Sequence, residues 1–308
     1  MDDIKIIKKI GMDAPVVIAG WPGMGNVALG VTDYLRRKLN ATKFAQISLD
    51  PSVTVDSVVV EDGLAKLPPA PKNIFYYIKK PELVICEGEA QLPGPGGISL
   101  LNKVLDLATE IKAKSIYTGA AFPMPVSYKE RPEVYGAANK EHIVLGFPGL
   151  GIRPMEEGHI SGLNGLVLGL AAGRGIDEVC LLATMPQYAV SLPNPKASRA
   201  IIEVMQKILG FNVDLGEMEG YIKDMDEKMS LIEEKVKDVF SMEREEPKQP
   251  PQSGVRKVPG YVMERIEKLF LEARLDRSKA IVLKNELDRW DLYKNYEDRF
   301  LDLFKGGQ

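Results

Sequence analysis

The chain has 308 residues, 45% of them hydrophobic and 27% charged, an ordinary globular mixture with room for one large domain or two average ones. A formal net charge of −3 gives no electrostatic reason to expect nucleic acid or an anionic membrane surface as partner, and no apolar run is long enough to cross a bilayer. Cys86 and Cys180, each in an apolar run, point to buried thiols in a reducing cytoplasm, and the start Met1-Asp2-Asp3-Ile4-Lys5 lacks the order of a secretory signal.

From the N-terminus the pattern alternates between strands and helices. Pro15–Gly20 is a short β-branched run that ends in the glycine turn Gly20-Trp21-Pro22-Gly23-Met24-Gly25-Asn26. Val27–Leu39 then has apolar residues at helical spacing and Arg36-Arg37-Lys38 in its last turn, which suits the helix dipole. Ala45–Leu49, Ser57–Val60 and Asn73–Ile78 read as strands, with Pro68-Pro69-Ala70-Pro71 breaking the chain before the third. Glu82–Cys86 is a buried strand that runs into Glu87-Gly88-Glu89-Ala90-Gln91. Ile98–Ile111 is an amphipathic helix and Ser115–Ala120 a strand.

Ser161–Arg174 is expected to be a helix buried on almost every side. Its glycines at 162, 165, 169 and 173 cost helix propensity, so they imply close approach of another backbone or a ligand. Ser161 is placed to cap its first turn. The strand Glu178–Ala183 follows, then a stiff loop around Pro193-Asn194-Pro195 and a helix over Ala197–Leu209. Glu217–Ser241 carries Met218, Ile222, Met225, Met229, Ile232, Val236 and Phe240 in a near-heptad stripe that something must cover. The expected organisation is an α/β/α domain over 1–241, a charged proline-rich linker over 242–260 and a helical extension over 261–308. Strands of continuous hydrophobicity separated by helices imply a mostly parallel or mixed sheet covered on both faces.

No motif assembles a catalytic set. The first glycine turn is neither a Walker loop nor GxGxxG, although Gly23 and Gly25 N–H groups in such a turn can face an anion. Glu87 and Glu89 fall at a strand end, where open α/β sheets bind ligands, and suit a base or a metal ligand; no familiar metal spacing accompanies them. The turn Gly146–Ile152 signals only a tight loop. Ser161 lies outside a GxSxG elbow, and neither His142 nor His159 completes a triad with it. The candidate cleft therefore gathers Gly20, Pro22, Gly23, Gly25, Asn26, Glu87, Glu89, Gln91, Ser161, Gly162, Asn164, Pro193, Asn194 and Pro195, with no catalytic residue, metal or cofactor assigned.

The order GWPGMGNVALG, EGEAQ, ISGLNGLVLGLA and MPQYAVSLPNPKASRA, closed by Phe211–Leu215, resembles the proteasome assembly chaperone 2 family over about residues 5–240. The resemblance implies a three-layer α/β/α sandwich of phosphorylase-like shape and a non-catalytic, homo-oligomeric protein that acts on proteasome subunits. In archaeal relatives it also implies a C-terminal hydrophobic-tyrosine-any-residue tail. This chain departs there, ending Phe304-Lys305-Gly306-Gly307-Gln308, with Leu292-Tyr293-Lys294 internal. Related sequences have been called ATP-grasp or carboxylate-amine ligases, but no nucleotide-binding lysine pattern supports that here. The rival expectation is an enzyme whose cleft binds an anionic or nucleotide-like molecule, with Glu87 as base.

Overall fold

The computed structural model describes residues 3–49, 57–244, 260–275, 279–290 and 292–305. In chain order its elements are β1 (Asp3–Ile6), β2 (Val16–Gly20), α1 (Val27–Lys38), β3 (Thr42–Ser48), β4 (Val59–Glu61), β5 (Leu64–Lys66), β6 (Lys72–Ile78), β7 (Leu83–Gly88), α2 (Gly94–Glu110) and β8 (Ser115–Met124). There follow β9 (Val134–Ala138), α3 (Glu141–Gly146), β10 (Arg153–Pro154), α4 (Leu163–Ala172), β11 (Asp177–Pro186), α5 (Pro195–Leu209), α6 (Gly216–Arg244), α7 (Gly260–Leu275), α8 (Ala280–Arg289) and α9 (Tyr293–Lys305).

Nine strands form one mixed sheet in the order β1-β3-β6-β7-β2-β8-β11-β9-β10. Its centre, β7-β2-β8-β11, is parallel, with Val17 opposite both Val84 and Ile116 and Cys180 opposite Thr118. The antiparallel pairs β1-β3, β3-β6 and β6-β7 extend one side, and β9 pairs antiparallel with β11 on the other. A parallel strand must be covered on both faces, and alternation along β2 does this. Ile18 packs with Val31 and Leu35 of α1 and Ile201 and Met205 of α5, while Val17 and Ala19 pack with Leu100 and Val104 of α2 and Val167 of α4. The fold is thus an α/β sandwich with extra helices at the C-terminus.

Two expectations need correction, and a third is met within the chain. The strand read at Ser57–Val60 is real only as β4, and it joins no central strand: β4 and β5 form a separate two-stranded hairpin. The helix read from Ser161 begins at Leu163, behind an N-cap at Gly162 whose φ of 78° only glycine adopts readily. Ser161 is exposed and caps nothing, and the helix is not buried all round, since Leu166 is exposed and nothing approaches the Gly169 position. The stripe of α6, which had to be covered, is covered within its own domain. Met218 and Met229 are buried and Ile222 packs against the core of its own domain.

Polar bonds hold α6 there as well. The Glu233 carboxylate accepts from the Tyr188 hydroxyl at 2.6 Å and the Ser127 hydroxyl at 2.8 Å, while Lys196 Nζ donates to Asp226 at 2.8 Å and to the Tyr128 carbonyl at 2.6 Å. The side chains of Val236 and Phe240 lie outside the description.

The chain divides after Arg244 into two compact units. The second has its own core of Val262, Ile266 and Phe270 from α7, Leu283 and Leu287 from α8, and Phe300 from α9. Arg299 pairs with both oxygens of Glu267 at 2.6 Å and lies 4.2 Å from the Phe270 ring. Most of the linker expected over 242–260, residues 245–259, falls outside the described residues, as do residues 306–308.

Candidate functional site: the carboxyl-edge cleft

The loop after β2 is held by side-chain amides. Asn164, in the first turn of α4, accepts from the Trp21 N–H at 2.9 Å through Oδ1 and donates to the Trp21 carbonyl at 3.1 Å through Nδ2. Trp21 itself is fully buried, and its indole N–H donates to Asn73 Oδ1 at 2.7 Å. Gln91 accepts from the Leu163 N–H at 2.9 Å and donates to the Pro22 carbonyl. Buried amides need partners on both ends, and these find them by joining the first glycine loop, the end of β7 and the start of α4.

These bonds frame a cleft of about 790 Å3 over the carboxyl ends of the parallel strands. Its walls include Gly23, Met24, Gln91, Phe122, Met155 and Leu182, with Ser161, Gly162 and Asn164 on the α4 side. Among the described residues no Lys, Arg, Asp or Glu lines it, and His159 is its ionisable member. The lining suits an apolar occupant fixed by a few amides and backbone groups far better than an anion.

The sequence-derived candidates separate into three places. Gly23, Gln91, Ser161, Gly162 and Asn164 line this cleft. Gly25, Asn26, Pro193, Asn194 and Pro195 line a second groove, of about 760 Å3, whose far wall is α6. There the Gly25 N–H donates to the Val190 carbonyl at 2.8 Å and Asn194 Oδ1 accepts from the Ala197 N–H at 2.9 Å, capping α5. The Gly25 donor is thereby committed within the protein rather than aimed at an anion.

The remaining candidates are structural in their contacts. Strand alternation turns Glu87 toward α1, where both its oxygens accept from Arg36 Nε, at 2.8 and 2.9 Å. Burial pushes its carboxyl up and the Arg36 guanidinium pulls it back in part. Glu89 accepts from the Lys72 N–H at 2.8 Å. Gly20 lies under Ala28, whose carbonyl oxygen would be 2.8 Å from a Cβ there, and Pro22 offers its carbonyl to Gln91.

Sequence reasoning missed one buried group beneath α4. Glu178 on β11 is fully buried, and its Oε2 has no hydrogen-bond partner. Thr118 Oγ1 lies 2.9 Å from Glu178 Oε1 and 2.8 Å from the Asn164 carbonyl. Burial drives the carboxyl well above the usual range, only partly opposed by Thr118. The Thr118 hydroxyl is thus shared between the Glu178 carboxyl and the Asn164 carbonyl. A carboxylate at the head of the apolar run Val179-Cys180-Leu181-Leu182 was the available signal. Both cysteines are free and buried. Among the described residues no cluster of three or more His, Cys, Asp or Glu has metal-holding geometry, and no helix is long and apolar enough to cross a membrane.

Comparison with known proteins now bears on this geometry. A model of the PAC2 family matches residues 17–233. An uncharacterized protein of Methanocaldococcus jannaschii is 27% identical over 241 residues, 73% of this chain and 86% of that protein. Among solved structures, Pyrococcus furiosus PbaB, an archaeal proteasome activator, is 25% identical with a TM-score of 0.64, covering 75% of this chain and 98% of its own. Pyrococcus furiosus PbaA, an archaeal homolog of proteasome-assembly chaperone, is 20% identical with a TM-score of 0.60, covering 79% and 97%.

Proposed function

The chain belongs to the PAC2 family, and from that premise we propose that it is a cytoplasmic, self-associating protein of the proteasome-assembly-chaperone kind. It recognises proteasome subunits by surface complementarity and catalyses no reaction. The observation that carries this reading is the likeness to PbaB across nearly the whole of that protein. The lining of the cleft adds support: a recess without Lys, Arg, Asp or Glu suits a protein or apolar surface. Two free buried thiols accord with a reducing compartment. The division of labour we assign is recognition and self-association to the α/β domain, 1–241, with 242–260 as a tether to the helical extension, 261–308.

The test is co-migration of the purified full chain with isolated archaeal proteasome α subunits and with assembled core particles in size-exclusion chromatography. A complex with either at micromolar concentration is expected. Independent elution from both would overturn the reading.

A further inference from the structure

The β4–β5 hairpin is strongly specified, yet every residue of its two strands is exposed. Asp62 and Gly63 both take positive φ, 50° and 78°, the type I′ turn that matches the twist of a two-residue hairpin. The register pairs Val59 with Lys66, Val60 with Ala65 and Glu61 with Leu64. Alternation therefore puts Val58, Val60, Ala65 and Leu67 on one face and Val59, Glu61, Leu64 and Lys66 on the other. The second face carries its own Glu61–Lys66 ion pair at 3.4 Å. The first is wholly apolar, with Val58, Val60 and Leu67 each more than half exposed, and no hairpin residue belongs to either core of the domain. An isolated two-stranded hairpin is marginal in water, so a partner surface must account for this apolar face.

Its position narrows the choice. The hairpin is inserted between β3 and β6, whose Ser48 and Lys72 ends pair with one another. Asn73 pairs with Gly88, and Glu87 with Gly20, so the hairpin springs from the same carboxyl edge at which the cleft opens. In the sheet order its root at β3-β6 is separated by β7 from the strands beneath the cleft, β2, β8 and β11. Strands are spaced about 4.8 Å apart, so root and recess are offset laterally by on the order of 10–15 Å. Pro68, Pro69 and Pro71 stiffen the return stem against folding back across that offset. A protrusion and a recess on one edge, displaced sideways and presenting apolar faces, are complementary parts of a contact between copies that meet edge to edge.

We propose that the hairpin is an assembly arm whose apolar face of Val58, Val60, Ala65 and Leu67 enters the carboxyl-edge cleft of a second copy of this chain. This rests on the self-association reading above and names its surfaces. The occupied cleft excludes water from both apolar faces, while the Glu61–Lys66 face stays in solvent.

The experiment uses the full chain, as wild type and as the Val60→Asp and Leu67→Asp variants, followed by light scattering across micromolar dilutions. Circular dichroism monitors folding, which these exposed positions leave unchanged. The expected result is a wild-type mass that is a multiple of 34.0 kDa and variants that fall to a smaller multiple or a single chain. A monomeric wild type would overturn both the arm and self-association. An oligomeric wild type with variants of equal mass would overturn the arm alone. Variants of equal mass that lose co-migration with proteasome α subunits would assign the arm to that partner instead.

Cysteine cross-linking gives a second reading. Met24, exposed at the cleft mouth, and Val60 are changed separately to cysteine, and the native Cys86 and Cys180 stay buried and silent. Mixing Val60→Cys with Met24→Cys is expected to give a disulfide-linked pair of chains on oxidation. A linked pair from Val60→Cys alone would mean that arms meet arms. Closure within one chain in the double variant would mean that the arm covers its own cleft. Either result overturns the proposal.

Discussion

The Asn164 side chain reads the Trp21 backbone with both ends of its amide, taking its N–H at 2.9 Å and giving to its carbonyl at 3.1 Å. A helix residue thus replaces the strand partner that the chain loses as it leaves β2, and it fixes one wall of the cleft. Asn164→Ala leaves two main-chain groups without partners in a buried setting. The expected loss is about 2 kcal/mol or more of folding stability, measured by denaturant unfolding. A variant with an unchanged midpoint would show that water replaces both bonds at no cost.

Glycines of α4 should respond oppositely to alanine. A Cβ on Gly165 would press into the Ile160 side chain and carbonyl, whereas one on Gly169 meets no atom within 4 Å. Gly165→Ala is expected to destabilise by about 1–3 kcal/mol through overpacking, and Gly165→Leu by more. Gly169→Ala is expected to stabilise by up to about 1 kcal/mol through helix propensity. Thermal melts of the two alanine variants that shift in the same direction would contradict this account of the helix.

Glu178 should make stability depend on pH. The folded chain retains its proton where the unfolded chain releases it, above about pH 4.5. Its contribution is therefore fully present below that pH and is lost as pH rises toward the raised folded value, by about 1.4 kcal/mol per pH unit. Glu178→Gln keeps an acceptor for the Thr118 hydroxyl and cannot ionise. The stability difference, variant minus wild type, should grow from pH 5 to pH 8 in parallel urea titrations. Profiles that stay parallel would mean that Glu178 titrates alike in both states.

Truncation after Arg244 should leave a folded α/β domain, because both halves of its core and the bonds to Glu233 lie before that point. The expected melting temperature lies within about 5 °C of the first transition of the full chain. Loss of the sheet signal in circular dichroism would instead make the C-terminal helices part of its core.

Local signals carried the central layer of the fold. Val16–Gly20, Leu83–Cys86 and Val179–Ala183 are apolar without break because both faces of a parallel strand are covered, and the α1 and α5 helices declare themselves by spacing. The peripheral elements β1, β9, α3 and β10 escaped because they are short and only partly buried, so their composition differs little from loop. The glycine-rich segment was legible as a place of close approach, and Gly165 bears that out. Its neighbour, however, is the preceding Ile160, and the approach does not extend to Gly169.

What the sequence determined by itself was which residues favour strand, helix and turn, since propensity and periodicity act over a few neighbours. It also determined that amides, glycines and prolines would cluster between them. Only the tertiary structure decided which faces those residues share. The alternation of β7 sends Glu87 to Arg36 on one side of the sheet, while the next elements carry Gln91 and Asn164 to the other. The helix stripe of α6 found its cover inside its own domain, and the Val58–Leu67 hairpin found none. Long-range pairing sets these outcomes, because a side chain's surroundings depend on strands and helices many residues away in sequence.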